Sequence, residues 1–174
     1  RRLRQRARLA VAFTVADVCD VNEVVRSVSE TFVSCRMKRY NIDIRLDLAP
    51  GDVTVEGSCG QLEIVLVNLL SNAIQALAGR ADALITIRTQ PGEQGTMRLV
   101  VEDNGPGIPR EIRTRIFDPF FTTKDVGSGT GLGLAICQAM LTRRAGSIHH
   151  DSGFADGTRF VVELPHVLAE TPAA

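Results

Sequence analysis

The chain has 174 residues, 44% of them hydrophobic and 23% charged, with 20 Lys plus Arg balanced against 20 Asp plus Glu. That length supports one domain with a substantial core. The neutral balance excludes a protein that coats nucleic acid, and the composition excludes a disordered or collagen-like chain. No apolar run approaches a membrane span and no signal peptide opens the sequence, which predicts a soluble domain.

Arg1, Arg2, Arg4, Arg6 and Arg8 place five positive charges and no acid in the first eight residues. Residues 1–20 are expected to be a basic lead-in, the solvated end of an upstream helical domain or linker, rather than a nucleic-acid or lipid contact. The start at Arg1, with no initiator Met, predicts a piece of a longer chain. Val21, Val24, Val25, Val28, Phe32 and Cys35 then recur at helical spacing behind a cap at Asp20 or Asn22. The period changes to two at Ile42, Ile44, Leu46 and Leu48. After the turn Pro50-Gly51-Asp52 comes a short strand through Val53 and Val55, and the pair predicts a hairpin.

Leu62, Val65, Leu66, Leu69, Leu70, Ala73 and Leu77 mark a second helix, ended by Gly79. Strands follow over 84–89 and 96–102, joined by the turn-rich stretch 90–95. From Asp103 to Gly131 the pattern is loop-like, with one apolar island at 112–117. Leu132, Ala135, Ile136, Ala139 and Met140 restore the helical period, and strands over 147–151 and 159–164 close the chain. Strands in hairpin-like pairs separated by helices predict an α+β two-layer sandwich, a mixed and mostly antiparallel sheet with helices on one face. The domain is expected to span 21–166, with a tail over 167–174.

Cys19, Cys35, Cys59 and Cys137 form no CxxC pair, and no His lies at zinc-ligand spacing. Buried reduced thiols in a cytosolic setting are predicted, and no metal site is expected from them. His149, His150 and His166 lie in or beside the last strands and are expected to be surface or packing residues.

The segment 103–131 is about twice the length at which structureless loops become uncommon in compact domains. At its start, Asp103-Asn104-Gly105-Pro106-Gly107 follows a strand directly. A carboxylate there can accept a hydrogen bond from an amine, and the glycines let a flat ligand approach the backbone; a plain turn would use the same residue types. At its end, Gly127-Ser128-Gly129-Thr130-Gly131-Leu132-Gly133 runs into a helix, an arrangement suited to phosphate. It is neither a P-loop nor a GxGxxG: Lys38 and Lys124 are the only lysines, each in the wrong context. On the second helix, Asn68, Asn72 and Gln75 share one face. Glu63 is the only charge between Leu62 and Leu77, and Ile64, Val67 and Ile74 carry apolar surface round the helix, so a largely buried helix with a narrow amide stripe is expected. An amide oxygen can ligate Mg²⁺ when phosphate and water complete the shell; a buried structural network is the alternative.

Together these segments resemble the GHKL, or Bergerat-fold, ATP-binding domains, and within them the catalytic domain of bacterial sensor histidine kinases. The resemblance covers 21–165. Asn68-Leu-Leu-Ser-Asn72-Ala is similar to the family's N box, Asp103-Asn-Gly-Pro-Gly107 to its G1 box, Phe117-Asp-Pro-Phe-Phe-Thr-Thr-Lys124 to its F box and Gly129-Thr-Gly-Leu-Gly-Leu-Ala135 to its G2 box. The lid resembles that of nitrogen-regulation and dicarboxylate sensors.

The resemblance implies ATP and Mg²⁺ as cofactors. It implies Asp103 as acceptor of the adenine amine, Gly107 as room for the base, and Thr158 as a further adenine contact. Asn72, assisted by Asn68, would be the Mg²⁺ ligand. Gly129, Gly131 and Gly133 would set amides beside the phosphates, under a lid over 117–130 with Lys124 as a phosphate contact. Gly105, Ile108, Phe120, Thr123, Thr130 and Leu132 are implied to line the same site. Chaperone and topoisomerase ATPases of the fold carry a glutamate where Asn68 stands, and an amide cannot serve as their general base. The implied activity is therefore transfer of the γ-phosphoryl group to a histidine on a separate dimerisation domain, for no phosphoacceptor box occurs here. A nucleotide-binding scaffold or sensor without kinase activity is the alternative. The implied partners are that domain and a response-regulator receiver domain, with no nucleic acid. The chain alone is expected to be monomeric, the full-length protein homodimeric, and the domain cytoplasmic. Two departures, Ser58 before the N-box helix and Arg144-Ala145-Gly146 in place of a double glycine, are expected to alter packing more than binding.

Overall fold

The computed structural model describes residues 17–33, 41–51, 53–123 and 129–167. Its elements in chain order are β1 (Val18–Asp20), α1 (Val21–Phe32), β2 (Asp43–Asp47), β3 (Thr54–Glu56), α2 (Cys59–Ala76), β4 (Leu84–Pro91), β5 (Thr96–Asp103), a 3₁₀ turn (Arg110–Ile112), α3 (Gly133–Thr142), β6 (Ser147–His150) and β7 (Thr158–Pro165). Five strands form one mixed sheet in the order β2-β4-β5-β7-β6, parallel only between β2 and β4. β1 and β3 form a small antiparallel pair of their own.

Helix formation follows the apolar spacing. Asp20 caps α1, its carboxylate accepting from the Asn22 and Glu23 amides at 2.8 and 3.1 Å, and the helix buries Val21, Val24, Val25, Val28 and Phe32. α2 buries Leu62, Val65, Leu66, Leu69, Leu70, Ala73 and Ile74 along a stripe at three- and four-residue steps. These side chains meet Ile85 and Ile87 of β4, Met97, Leu99 and Val101 of β5, and Phe160, Val162 and Leu164 of β7 in one core. The expected two-layer α+β architecture is the observed one.

The opposite face of the sheet carries a charge network, with no second helical layer among the described residues. Glu102 accepts from Arg88 at 3.1 Å and from Arg159 at 2.7 Å, Arg159 also reaches Asp151 at 3.0 Å, and Arg98 pairs with Glu163 at 2.8 Å. Val100 and Val161 stay buried among these residues, consistent with long charged side chains covering apolar surface with their stems.

Three expectations are corrected. β2 and β3 are not a hairpin: β2 lies parallel to β4, and β3 pairs with β1. Alternation reveals a strand but not its neighbour, and the parallel pairing is made possible by α2, which lies in the crossover from β2 to β4. α2 is not covered all round, since Ile64 and Val67 are exposed on its outer side. The thiols are not all reduced: Cys19 and Cys59 form a disulfide across a separation of 40 residues. Cys137 is free and buried as expected, its thiol pushed up to about 12 by desolvation, and Cys35 lies outside the described residues. His150 packs edge-on against Phe160, the packing role foreseen for it. Within the expected lead-in, 18–20 is strand β1, with the Gly57 amide donating to the Asp17 carbonyl at 2.7 Å. No helix among the described residues is long and apolar enough to cross a membrane.

Candidate nucleotide site

α2 is the spine of the site. Asn68, Asn72 and Ala76 fall on one face at four-residue steps, a strip of about 12 Å along the helix. At the first of them, the Asn68 side-chain oxygen lies so close to Gly133 that a β-carbon there would come within 2.6 Å of it. At the last, a β-carbon on Gly105 would meet Ala76 at 3.5 Å. The loop after β5 and the start of α3 therefore touch the two ends of one helical face, with Asn72 between them.

The loop after β5 is held rigidly. Asn104 accepts from the Leu84 amide at 2.9 Å and donates to the Asp82 carbonyl at 2.7 Å, clasping the loop to the segment before β4. Asp103, at the end of β5 and buried, accepts from the Gly105 amide at 2.9 Å and from the amide and hydroxyl of Thr158, its partner across the β5–β7 ladder. Burial pushes the Asp103 carboxyl above its usual range, and the hydrogen bonds from Gly105 and Thr158 pull the other way. Gly107, at φ 74°, approaches the Gly157 carbonyl, so that a β-carbon there would lie 3.0 Å from it. Ile108 packs on the core and its carbonyl accepts from Arg113 at 2.8 Å.

Gly157 was not among the expected site residues. Its φ is 143°, and a β-carbon on it would fall onto the Asp103 carbonyl oxygen. It is the glycine that lets β7 begin against the end of β5 and so brings Thr158 to Asp103. Gly157-Thr158 reads as an ordinary turn in sequence, and only the crossing of two strands makes the missing side chain essential.

At the other end, the Phe120 amide donates to the Gly131 carbonyl at 2.9 Å, and both residues have φ 66°. Phe120 is 75% exposed, unusual for an aromatic side chain, and holds a left-handed backbone conformation. Phe117, three residues earlier, packs edge-on against Phe160 and ties this segment to the core. The Thr130 hydroxyl accepts from the Leu132 amide at 3.4 Å, and α3 begins at Gly133 with no side-chain cap. Thr123 and Thr130 are exposed, whereas Gly129, Gly131 and Leu132 are half-buried. Lys124, Gly127 and Ser128 lie outside the described residues.

The amides of α2 suit a hard cation. Asn68 donates from its nitrogen to the Ile64 carbonyl at 2.8 Å, leaving its oxygen toward Gly133. Asn72 is half-buried and makes no side-chain hydrogen bond among the described residues. Neutral amide oxygens of this kind ligate Mg²⁺ when anionic oxygens come from a bound phosphate. Gln75, the third member of the amide stripe, is exposed.

Comparisons with known proteins identify a family and a fold. The family model described as histidine kinase-, DNA gyrase B-, and HSP90-like ATPase matches residues 57–168. The C4-dicarboxylate transport sensor protein DctB of Rhizobium meliloti (strain 1021) is 42% identical over 121 residues, covering 70% of this chain and 19% of that protein. The chain spans about a fifth of the length of the curated relatives it matches. The catalytic domain of the histidine kinase ThkA superposes with a TM-score of 0.76 at 33% identity, covering 86% of this chain and 95% of that one; ThkA is also known in complex with the response regulator protein TrrA. Full-length ShkA in complex with AMPPNP gives a TM-score of 0.76 at 26% identity, covering 91% of this chain and 33% of that one.

Proposed function

This chain belongs to the histidine kinase-, DNA gyrase B-, and HSP90-like ATPase family, an ATP-binding family, and we propose that it is the catalytic domain of a sensor kinase that passes the γ-phosphoryl group of ATP to a histidine on a separate dimerisation domain. The observation that carries this reading is the single face of α2, with the Asp103 loop at one end and the glycine-rich start of α3 at the other.

In this reading Asp103 accepts the exocyclic amine of adenine. Gly105, Gly107, Ile108 and Thr158 shape the slot for the base. Asn72, with Asn68 one turn earlier, holds Mg²⁺, which neutralises charge on the phosphates when bound. The backbone amides around Gly129, Thr130, Gly131, Leu132 and Gly133 face the phosphates at an uncapped helix start. Phe120 and Thr123 belong to the lid, and Lys124 is its proposed phosphate contact. No carboxylate occupies the Asn68 position to activate water, so the domain's work is positioning and charge stabilisation for an outside nucleophile. The domain acts in the cytoplasm, where its nucleotide is, as a monomeric unit of a homodimeric protein, and a receiver domain takes the phosphoryl group onward. Resemblance to dicarboxylate sensors rests on the same lid sequence.

Incubation with γ-labelled ATP and a histidine-containing dimerisation domain tests the activity. Label is expected on that domain as acid-labile phosphohistidine, with little free phosphate from the chain alone. Rapid ATP hydrolysis by the isolated chain without transfer would contradict it.

Asp103 also sets a pH dependence. An adenine amine donates to the ionised carboxylate, so affinity is full above the Asp103 pKa and falls as pH drops through it. Because burial raises that pKa, the loss begins at a higher pH than for an ordinary exposed aspartate. Titrating a nucleotide analogue across mildly acidic pH is expected to show this decline, set against the analogue's own protonation measured alone.

A further inference from the structure

The Cys19–Cys59 bridge joins two parts of the chain that carry different tasks. β1, with Cys19 at its centre, pairs with β3 through a three-residue ladder and runs directly into α1. Cys59 is the first residue of α2, the helix that carries Asn68 and Asn72. The two sulfurs are unequally accessible: Cys19 is 2% exposed, whereas Cys59 is half-buried. A small, largely apolar pocket lies beside the bridge on its Cys19 side, lined in part by Cys19, Gly57, Ser58, Gln61, Met140 and Arg144. Arg144 packs over Gly57 and donates to Gln61 at 3.0 Å.

Cys59 also has the setting of a reactive thiol. The cap residue Ser58 makes no side-chain hydrogen bond to the first turn of α2, so once the bond is open the amides and dipole at this helix start favour Cys59 as the nucleophile in the return step, whereas attack on the closed bond is directed to Cys59 by its accessibility. Cys137 offers no competing site, being fully buried.

We propose that Cys19–Cys59 is a thiol–disulfide exchange site, opened by low-molecular-weight thiols through attack at Cys59, and that its redox state sets how firmly β1 is fastened to α2. A thiolate attacks the Cys59 sulfur, and the electron pair of the S–S bond leaves on Cys19, which takes up a proton. A second thiol then displaces Cys59 from the mixed disulfide and leaves as part of the oxidised reagent. Two electrons and two protons pass from two thiols to the protein; oxidation by a small disulfide runs the same steps backwards. Opening the bond leaves β1 attached by its short ladder, the Asp17–Gly57 hydrogen bond and its direct join to α1, and loosens the strand through which residues 1–16 join the domain. Nucleotide affinity changes little, because Asn72 lies more than three helical turns from Cys59.

The test uses the full 174-residue chain with reduced and oxidised glutathione, mapping adducts by peptide mass and β1 and β3 amides by hydrogen exchange. A glutathione adduct on Cys59 is expected in Cys19→Ser, with none on Cys19 in Cys59→Ser under the same conditions. Reduction of the wild type is expected to speed exchange in β1 and β3 by about tenfold or more while the core of α2 stays protected. Retained binding of a nucleotide analogue by each variant shows that it is folded. A bond that resists the thiol in the native chain, an adduct on Cys19 in preference to Cys59, or unchanged exchange in β1 after reduction overturns the proposal.

Discussion

Gly157→Ala lowers the unfolding temperature by about 10 °C, the equivalent of roughly 3 kcal/mol in a domain of this size. The added β-carbon would fall onto the Asp103 carbonyl oxygen and press the Asn104 α-carbon at 2.9 Å, and φ 143° is a conformation that alanine adopts only under strain. Neither neighbour can yield cheaply, because both are backbone and Asn104 is clasped to the Asp82–Leu84 segment by its side chain. Relief has to come from separating the end of β5 from the start of β7, which pulls Thr158 away from Asp103. Nucleotide affinity is therefore expected to fall by about 100-fold or more, since that separation removes interactions worth about 3 kcal/mol. Thermal unfolding and calorimetric titration of the same sample check both halves. An affinity loss without a stability loss would mean that Gly157 touches the nucleotide but does not hold the strands together.

Gly131→Ala separates the two effects in the opposite way. Its β-carbon would be driven into the Phe120 backbone, the partner of its own carbonyl, and its φ of 66° is left-handed. Phe120 is exposed, so the segment can move aside at little cost to the core. The unfolding temperature is expected to shift by only about 2–4 °C, corresponding to about 1 kcal/mol. The loop that sets amides before α3 no longer closes on the lid base, and affinity for a triphosphate is expected to drop by about tenfold or more while affinity for adenosine changes much less. Titrations with the two ligands measure the contrast. Equal losses for both would place Gly131 outside the phosphate end of the site.

The parts of this molecule that were legible in the sequence are those governed by local rules. The three-to-four-residue spacing of α1 and α2 emerged because each buries one stripe against the sheet, and Asp20 was readable as a cap because its carboxylate needs only the next two or three amides. The β4–β5 pair was readable because a turn joins consecutive strands. The position of β2 was not, since its neighbour β4 arrives only after an intervening helix. The disulfide escaped for a related reason: a separation of 40 residues carries no spacing signal, and reduced thiols follow only from an assumed compartment. Ile64 and Val67 show the limit of reading burial from composition, because an apolar residue on a helix says nothing of whether anything covers it.

Within the site, the glycine-flanked loops and the amide stripe were visible because few structural needs explain such residues together. Gly157 stayed hidden, as its need arises from the carbonyl of a strand more than fifty positions earlier. Ser58 sits at the cap of α2 with no side-chain bond to it, its carbonyl accepting from the Gln61 and Leu62 amides, and Ala145 occupies φ 54°, where a glycine would be at ease.

The most direct test of a nucleotide held along α2 is calorimetric titration of the chain with a non-hydrolysable ATP analogue, with and without Mg²⁺, beside Asp103→Asn and Asn72→Ala. The account predicts that the wild type binds, that Asp103→Asn loses binding in both conditions, and that Asn72→Ala still binds but gains nothing from Mg²⁺. Binding by Asp103→Asn at wild-type strength, or a full Mg²⁺ enhancement in Asn72→Ala, would contradict it.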